Sequence, residues 1–179
     1  GFRLLRDAVL SLSLTQPFVG PLYHWRTSRP HEYRLSPLSC RSDDHARFTC
    51  GPGHGAPAKN IALGPDDHLL DHLDHSFTLL MATEGAGEIE PLQAEMQALR
   101  AQGVPLRVVA VGTAQRQAGV DTSLADASGH LRQLYGLEAG GAYLLRPDQH
   151  VCARWKSLDA PRLRAAVALA AGLNEEDWT

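Results

Sequence analysis

The sequence predicts an α/β fold: a mixed four-stranded sheet with flanking helices, preceded by a helix and a long irregular connector. Three stretches carry this expectation. Leu106–Gly112, LRVVAVG, is apolar at both parities, as a central parallel strand is when both of its faces are covered. Gly141–Trp155, GAYLLRPDQHVCARW, reads as a β-hairpin, because two apolar runs flank Arg146-Pro147-Asp148-Gln149. Pro147 presets φ at the second turn position and Asp148 suits the third. Between the strand Ser76–Ala82 and Leu106–Gly112 lies a helical pattern, so the three make a right-handed βαβ unit.

Bulk properties narrow the classes. The chain has 179 residues and 44% hydrophobic content, enough for one domain plus some extra and for a real core. Its formal net charge is −3, and its arginines are scattered, which argues against a nucleic-acid partner. No apolar run approaches the length of a membrane span, and no signal-peptide pattern opens the chain. Three cysteines argue against a disulfide framework. These features make a cytoplasmic protein the expectation. Gly1, not Met, opens the chain inside a helical pattern, which points to a piece of a longer polypeptide.

In chain order, residues 2–13 place Phe2, Leu5, Val9 and Leu12 on one helical face. From Thr15 to about Gly55 the periodicity disappears among Pro17, Pro21, Pro30, Pro37 and Pro52. This run reads as a connector draped over a surface, anchored by Phe18, Tyr23, Trp25 and Tyr33. A domain boundary is therefore expected at residue 50, with residues 1–50 as the tail of a preceding domain plus connector, and 51–179 as the α/β domain. After the strand Ser76–Ala82 comes a loop, Glu84-Gly85-Ala86-Gly87. A helix follows from about Glu90 to Gln102, with Pro91 in its first turn and Leu92, Met96 and Leu99 as its buried stripe. A second helix spans about Asp126 to Tyr135, with Leu131, Leu134 and Tyr135 inward and Gly136 as its stop. In the hairpin, Tyr143 and Leu145 share one face of the first arm. Val151, Ala153 and Trp155 share a face of the second, opposite His150, Cys152 and Arg154. The last helix starts at Asp159 as N-cap, with Leu163, Val167 and Ala170 inward and Gly172 as stop. The order β-α-β-α-β-β-α is that of a thioredoxin-like domain.

The chemistry such a domain could carry is mostly missing. A thioredoxin places Cys-x-x-Cys in the loop that here reads Glu84-Gly85-Ala86-Gly87. Its cis-proline position reads Ala139-Gly140-Gly141-Ala142. Cys152, in mid-strand, reads as a small packing residue. Gly85-x-Gly87 follows a strand, but the third glycine of a dinucleotide fingerprint would fall on Glu90, whose charge repels a pyrophosphate. His68, His72 and His75 lie among Asp66, Asp67, Asp71 and Asp74. A metalloprotease pattern would need Glu where Leu69 stands, so the segment reads as a solvated lead-in to a strand. Cys40, His45, Cys50 and His54 match no zinc-finger spacing. No Gly-x-Ser-x-Gly elbow is present. Catalytic, cofactor-binding and metal-ligating residues are accordingly expected to be absent from this chain.

An ordered set of short stretches resembles the C-terminal region of FAD-dependent aromatic-ring hydroxylases, in particular 3-(3-hydroxyphenyl)propionate hydroxylase and polyketide hydroxylases. The stretches are Leu5-Arg6-Asp7-Ala8-Val9-Leu10, Gln16-Pro17-Phe18-Val19, Tyr33-x-x-Ser36-Pro37-Leu38 and Pro52-Gly53-His54-x-Ala56-Pro57. Leu69-Leu70-Asp71, Phe77-Thr78-Leu79-Leu80, Asp126-x-x-Gly129-x-Leu131, Tyr135-Gly136 and Ala142-Tyr143-Leu144-Leu145-Arg146-Pro147-Asp148 complete it. His75 departs from the glycine common there. The resemblance implies a parent enzyme that uses NAD(P)H to reduce FAD and transfers one oxygen atom of O₂ to a phenolic ring. It also implies that the flavin motifs lie outside these residues and that no known functional residue of the family maps onto them. The expected role is structural or docking, with the parent's N-terminal FAD/substrate domain, or a second copy, as partner. Tyr143 and Trp155 are the expected interface anchors. The alternatives are a stand-alone thioredoxin-like binding domain and a peroxiredoxin-like thiol enzyme using Cys152, Cys50 or Cys40.

Overall fold

A computed structural model describes residues 1–15, 31–40, 42–112 and 117–173. The expectations for Pro17, Phe18, Pro21, Tyr23, Trp25 and Pro30 lie outside the described residues. The chain forms two units, Gly1–His31 and Glu32–Thr179. In the first, the spaced leucines form helix α1 (Phe2–Thr15), on which Phe2, Leu5 and Leu12 are exposed. The second unit begins nineteen residues before the boundary expected at residue 51, because Cys40 and Ser42 already bond to its last strand, Val151–Trp155.

The second unit opens with a two-stranded ribbon, β1 (Ala62–Gly64) against β2 (Asp67–His68). Next come β3 (Phe77–Thr83), α2 (Gln93–Ala101), β4 (Leu106–Gly112) and β5 (Thr122–Ala125). Helix α3 (His130–Tyr135), β6 (Ala142–Leu145), β7 (Val151–Trp155) and α4 (Ala160–Ala171) complete it. The main sheet runs β5-β4-β3-β6-β7. β3, β4 and β5 are parallel, while β6 and β7 are antiparallel to their neighbours. The expected four strands are its body, and β5 adds a fifth at the edge. Of Thr122-Ser123-Leu124-Ala125 only Leu124 is buried, which leaves too little alternation to read as a strand from sequence.

Both faces of β3 and β4 are covered, as their unbroken apolar runs require. On one face, Leu79, Met81, Val108 and Ala110 pack against Met96 and Leu99 of α2 and Leu163 and Val167 of α4. On the other, Leu80, Val109 and Val111 meet Leu131 and Tyr135 of α3, together with Phe48, Ile61 and Leu69. Helix α3 is shorter than expected. Asp126 stays outside it and caps it, its carboxylate accepting from the amides of Leu131 (3.2 Å) and Arg132 (2.9 Å). So short a helix turns only Leu131 and Tyr135 inward and leaves Leu134 exposed, against the expectation for that residue. Helix α4 is capped as expected, Asp159 accepting from the Arg162 amide at 2.9 Å.

The hairpin turn closes with the Gln149 amide donating to Arg146 O at 2.8 Å. Leu144 pairs with Ala153 but Leu145 with Val151, so Cys152 is an inserted bulge residue. The bulge breaks the expected alternation. Val151 joins Tyr143 and Leu145 on one face, while Cys152, Ala153 and Trp155 lie together on the other. The outer edge of β7 is covered by the preceding connector. Cys40, Ser42 and Asp44 follow β7 in parallel: the Cys40 amide donates to Cys152 O (2.8 Å), the Ser42 hydroxyl donates to Arg154 O, and Asp44 accepts from the Lys156 amide (3.1 Å). Residues 55–58 run antiparallel beside the start of β7, the Gly55 amide donating to Val151 O at 2.7 Å and the Ala58 amide to Gln149 O at 2.8 Å. This strap satisfies an edge that would otherwise be open to pairing with another chain.

Candidate functional site

In a domain of this order, chemistry would sit at the end of β3, where the chain leaves the sheet for α2 and where the loop into β6 returns beside it. The two loops are adjacent: the Ala82 amide donates to Gly141 O (2.9 Å) and the Gly140 amide to Ala82 O (3.0 Å). An open groove of about 490 Å³ lies beside them, lined in part by Glu84, Arg132, Gln133 and Glu138. Its charges are mixed, and Glu138 is paired with Lys156 at 2.9 Å. The loop holds no thiol. Its amides face the chain's own carboxylate, since Glu88 accepts from Glu84 N (3.4 Å) and Gly85 N (3.3 Å). Glu88 thus takes the place an anionic ligand would need, so the residues at this loop do not fit the phosphates of a dinucleotide.

The most developed polar cluster is elsewhere, between the strap and the hairpin. Arg154 is buried in β7, and its guanidinium lies 4.5 Å from the centre of the Phe48 ring. Its Nη1 donates to the carbonyls of Cys50 (3.1 Å), Gly51 (3.4 Å) and Pro52 (3.2 Å). The Tyr143 hydroxyl donates to Tyr135 O at 2.7 Å, and the two rings meet edge to face at 5.1 Å. The Tyr135 hydroxyl accepts from the Lys59 amide and donates to Lys59 O, both at 2.9 Å. Burial pushes the Tyr143 phenol up to about 12 against the opposing pull of Arg154, and burial raises Tyr135 as well. Both phenols therefore stay protonated at neutral pH and act as hydrogen-bonding struts. Gly51 sits at φ 83°, and a Cβ there would lie 2.6 Å from Tyr135 O. The cluster binds loop to sheet, its polar atoms bonded to the chain's own carbonyls and amides. Its sequence signal is the lone arginine inside the otherwise apolar run Val151–Trp155.

The remaining candidates separate. His45 and His54 come together, ring centres 4.6 Å apart, but Cys50 turns its thiol to Gln133 O at 3.3 Å and Cys40 lies along β7. Asp67 and Asp71 pair with histidines, His72 Nε2 lying 2.6 Å from Asp67 Oδ1 and His68 Nδ1 3.6 Å from Asp71 Oδ2. Among the described residues no three such side chains form a metal-binding group. Cys152 is fully buried, and burial pushes its thiol up to about 12, so its thiolate is scarce at neutral pH. Tyr143 and Trp155 are not interface anchors. They are 0% and 2% exposed and belong to the cores on opposite faces of the sheet, because a strand buried on both sides spends its large residues inward. No described helix is long and apolar enough to cross a membrane.

No family model matches the chain. A stretch of 119 residues, 64% of the chain, is 36% identical to 4-methyl-5-nitrocatechol 5-monooxygenase of Burkholderia sp. The chain spans about a fifth of that relative, 19% of its length. The rebeccamycin biosynthetic enzyme RebC with reduced flavin superposes with a TM-score of 0.56 at 25% identity, over 80% of this chain and 23% of that one. Aklavinone-11 hydroxylase in complex with FAD and aklavinone gives 0.55 at 25% identity, over 83% of this chain and 27% of that one. The chain is thus a homologue of 4-methyl-5-nitrocatechol 5-monooxygenase over part of its own length and a minor part of that enzyme's, and it shares its fold with part of RebC and of aklavinone-11 hydroxylase.

Proposed function

We propose that this chain is the structural and docking region of a flavin-dependent monooxygenase that hydroxylates phenolic rings with NAD(P)H and O₂ in the cytoplasm. The observation that carries the reading is the 36% identity, over 119 residues, to a nitrocatechol monooxygenase. In this reading FAD and NAD(P)H are held by an N-terminal domain of the same enzyme. That fits the loop after β3, where Glu88 occupies the amides a phosphate would use. The exposed apolar side chains Phe2, Leu5 and Leu12 of α1 suit contact with that domain or with a second copy. The region contributes stability and association, and its side chains do not touch the reacting atoms.

The test is Trp155→Ala in the full-length enzyme. Removing a buried tryptophan costs about 3–5 kcal/mol. The melting temperature should fall, while kcat per bound FAD in the molecules that remain folded stays near wild type. A drop in kcat of about a hundredfold with unchanged melting would place this region in the active site and overturn the reading.

A further inference from the structure

We propose that Cys40 and Cys152 form a reversible disulfide that locks the strap onto the edge of β7. The Cys40 amide donates to Cys152 O at 2.8 Å, which makes the two residues neighbours across a β-type contact. Strands joined by such a bond lie about 4.7–4.9 Å apart, and the one-residue offset of a parallel bond puts the two Cα atoms roughly 6 Å apart. A disulfide needs about 4.4–6.8 Å. Direction matters as much as distance, and the bulge supplies it. As the inserted residue, Cys152 turns onto the same face as Ala153 and Trp155, and Cys40 packs against that same apolar cluster. In a regular strand Cys152 would point away from its neighbour Ala153. The Cys152 thiol lies 3.5 Å from Leu38 O, two residues before Cys40, and 3.6 Å from Ala166 O of α4, so it sits between the strap and that helix. Cys50 is placed differently, its sulfur on Gln133 O at 3.3 Å.

The accessibilities set the order of the chemistry. Cys40 is partly exposed and Cys152 is buried. Of the two, Cys40 meets hydrogen peroxide first: the Cys40 thiolate attacks a peroxide oxygen, and with one proton taken up this gives a sulfenic acid and water. The Cys152 sulfur then attacks the Cys40 sulfur, and the hydroxyl leaves as a second water. Two thiol hydrogens and two electrons pass to the peroxide, and one S–S bond forms. A dithiol reductant reverses it by exchange. The product is a latch, not a peroxidase, because the second thiol sits in the core and the strap must part from β7 to expose it.

The experiment treats the full chain with hydrogen peroxide, digests it without reduction and maps the linked peptides. The expected result is an intramolecular link between Cys40 and Cys152. It should be accompanied by slower amide exchange in residues 40–58 and a rise in melting temperature of roughly 5 °C or more, since the link closes a loop of about a hundred residues. Dithiothreitol should reverse all three. Cys40→Ser and Cys152→Ala should each abolish the link and the shift, and Cys50→Ser should leave both. Should Cys152→Ala fail to fold, the peptide map of the wild type and the Cys40→Ser variant decide. A link through Cys50, a link between two chains, or Cys40 driven to sulfinic acid while Cys152 remains alkylatable would each overturn the proposal.

Discussion

Replacing Arg154 with methionine tests whether the strap is held by the buried guanidinium. The side chain is 6% exposed, and its two shortest bonds run to the carbonyls of Cys50 and Pro52, at 3.1 and 3.2 Å. A hydrogen bond from a charged donor contributes about 1.5–3 kcal/mol, so these two account for about 3–6 kcal/mol. The contacts to Gly51 O, Tyr143 Oη and His45 O, at 3.4–3.5 Å, are long enough to add little. Burial of the charge works in the other direction, since Arg154 Nε is buried without a partner among the described residues. Methionine keeps much of the apolar stem but loses the guanidinium's contact with the Phe48 ring. The net loss is therefore about 2–4 kcal/mol, or roughly 5–15 °C in Tm for a chain of this size. The assay is thermal unfolding followed by circular dichroism, with amide exchange as the local readout. The Gly55 amide, bonded to Val151 O at 2.7 Å, should lose protection before the amides of β3 and β4 do. A Tm within about 2 °C of wild type, with strap protection intact, would refute the claim that Arg154 holds the strap.

Other outcomes follow from the same geometry. Gly51→Ala should destabilise by about 2 kcal/mol or more, from a strained φ and from the push of its Cβ against Tyr135 O, seen as a lower Tm and a shifted Tyr143 environment in near-ultraviolet dichroism. Asp126→Ala removes the carboxylate that caps α3 and should cost about 0.5–2 kcal/mol in chemical denaturation. Burial tends to raise the Asp44 carboxyl, but bonds from Arg47 and the Lys156 amide outweigh it and hold the group below its ordinary value. A depressed pKa in the folded state gives stability that is full above the unfolded value, near 3.9, and lost as pH falls through the folded one. Acid titration should therefore release residues 40–47 below about pH 4, and Asp44→Asn should flatten that limb.

The body of the fold was legible because its signals are local. An unbroken apolar run marks β4, Asp159 and Gly172 bracket α4, and Pro147-Asp148 marks the turn of the hairpin. The absence of redox or phosphate motifs in Glu84-Gly85-Ala86-Gly87 was equally readable, since it depends on residue identity alone. Everything that depends on long-range pairing was not. β5 exists because Val111 and Gly112 of β4 offer an open edge to Leu124 and Ala125, and nothing within Thr122–Ala125 announces it. The bulge at Cys152 comes from the mismatch in register between two strands, and it alone decides that Val151 and Trp155 face opposite cores. The connector has no periodicity of its own, because the amides of Cys40, Gly55 and Ala58 bond to β7 and its turn and that of Tyr33 to Gly55 O, in a path no short window contains. Sequence determined which segments could be strands and helices through their own side-chain periods and caps. Tertiary structure decided which edges were left unpaired, and the cost of an unsatisfied backbone edge drew an irregular connector onto the sheet.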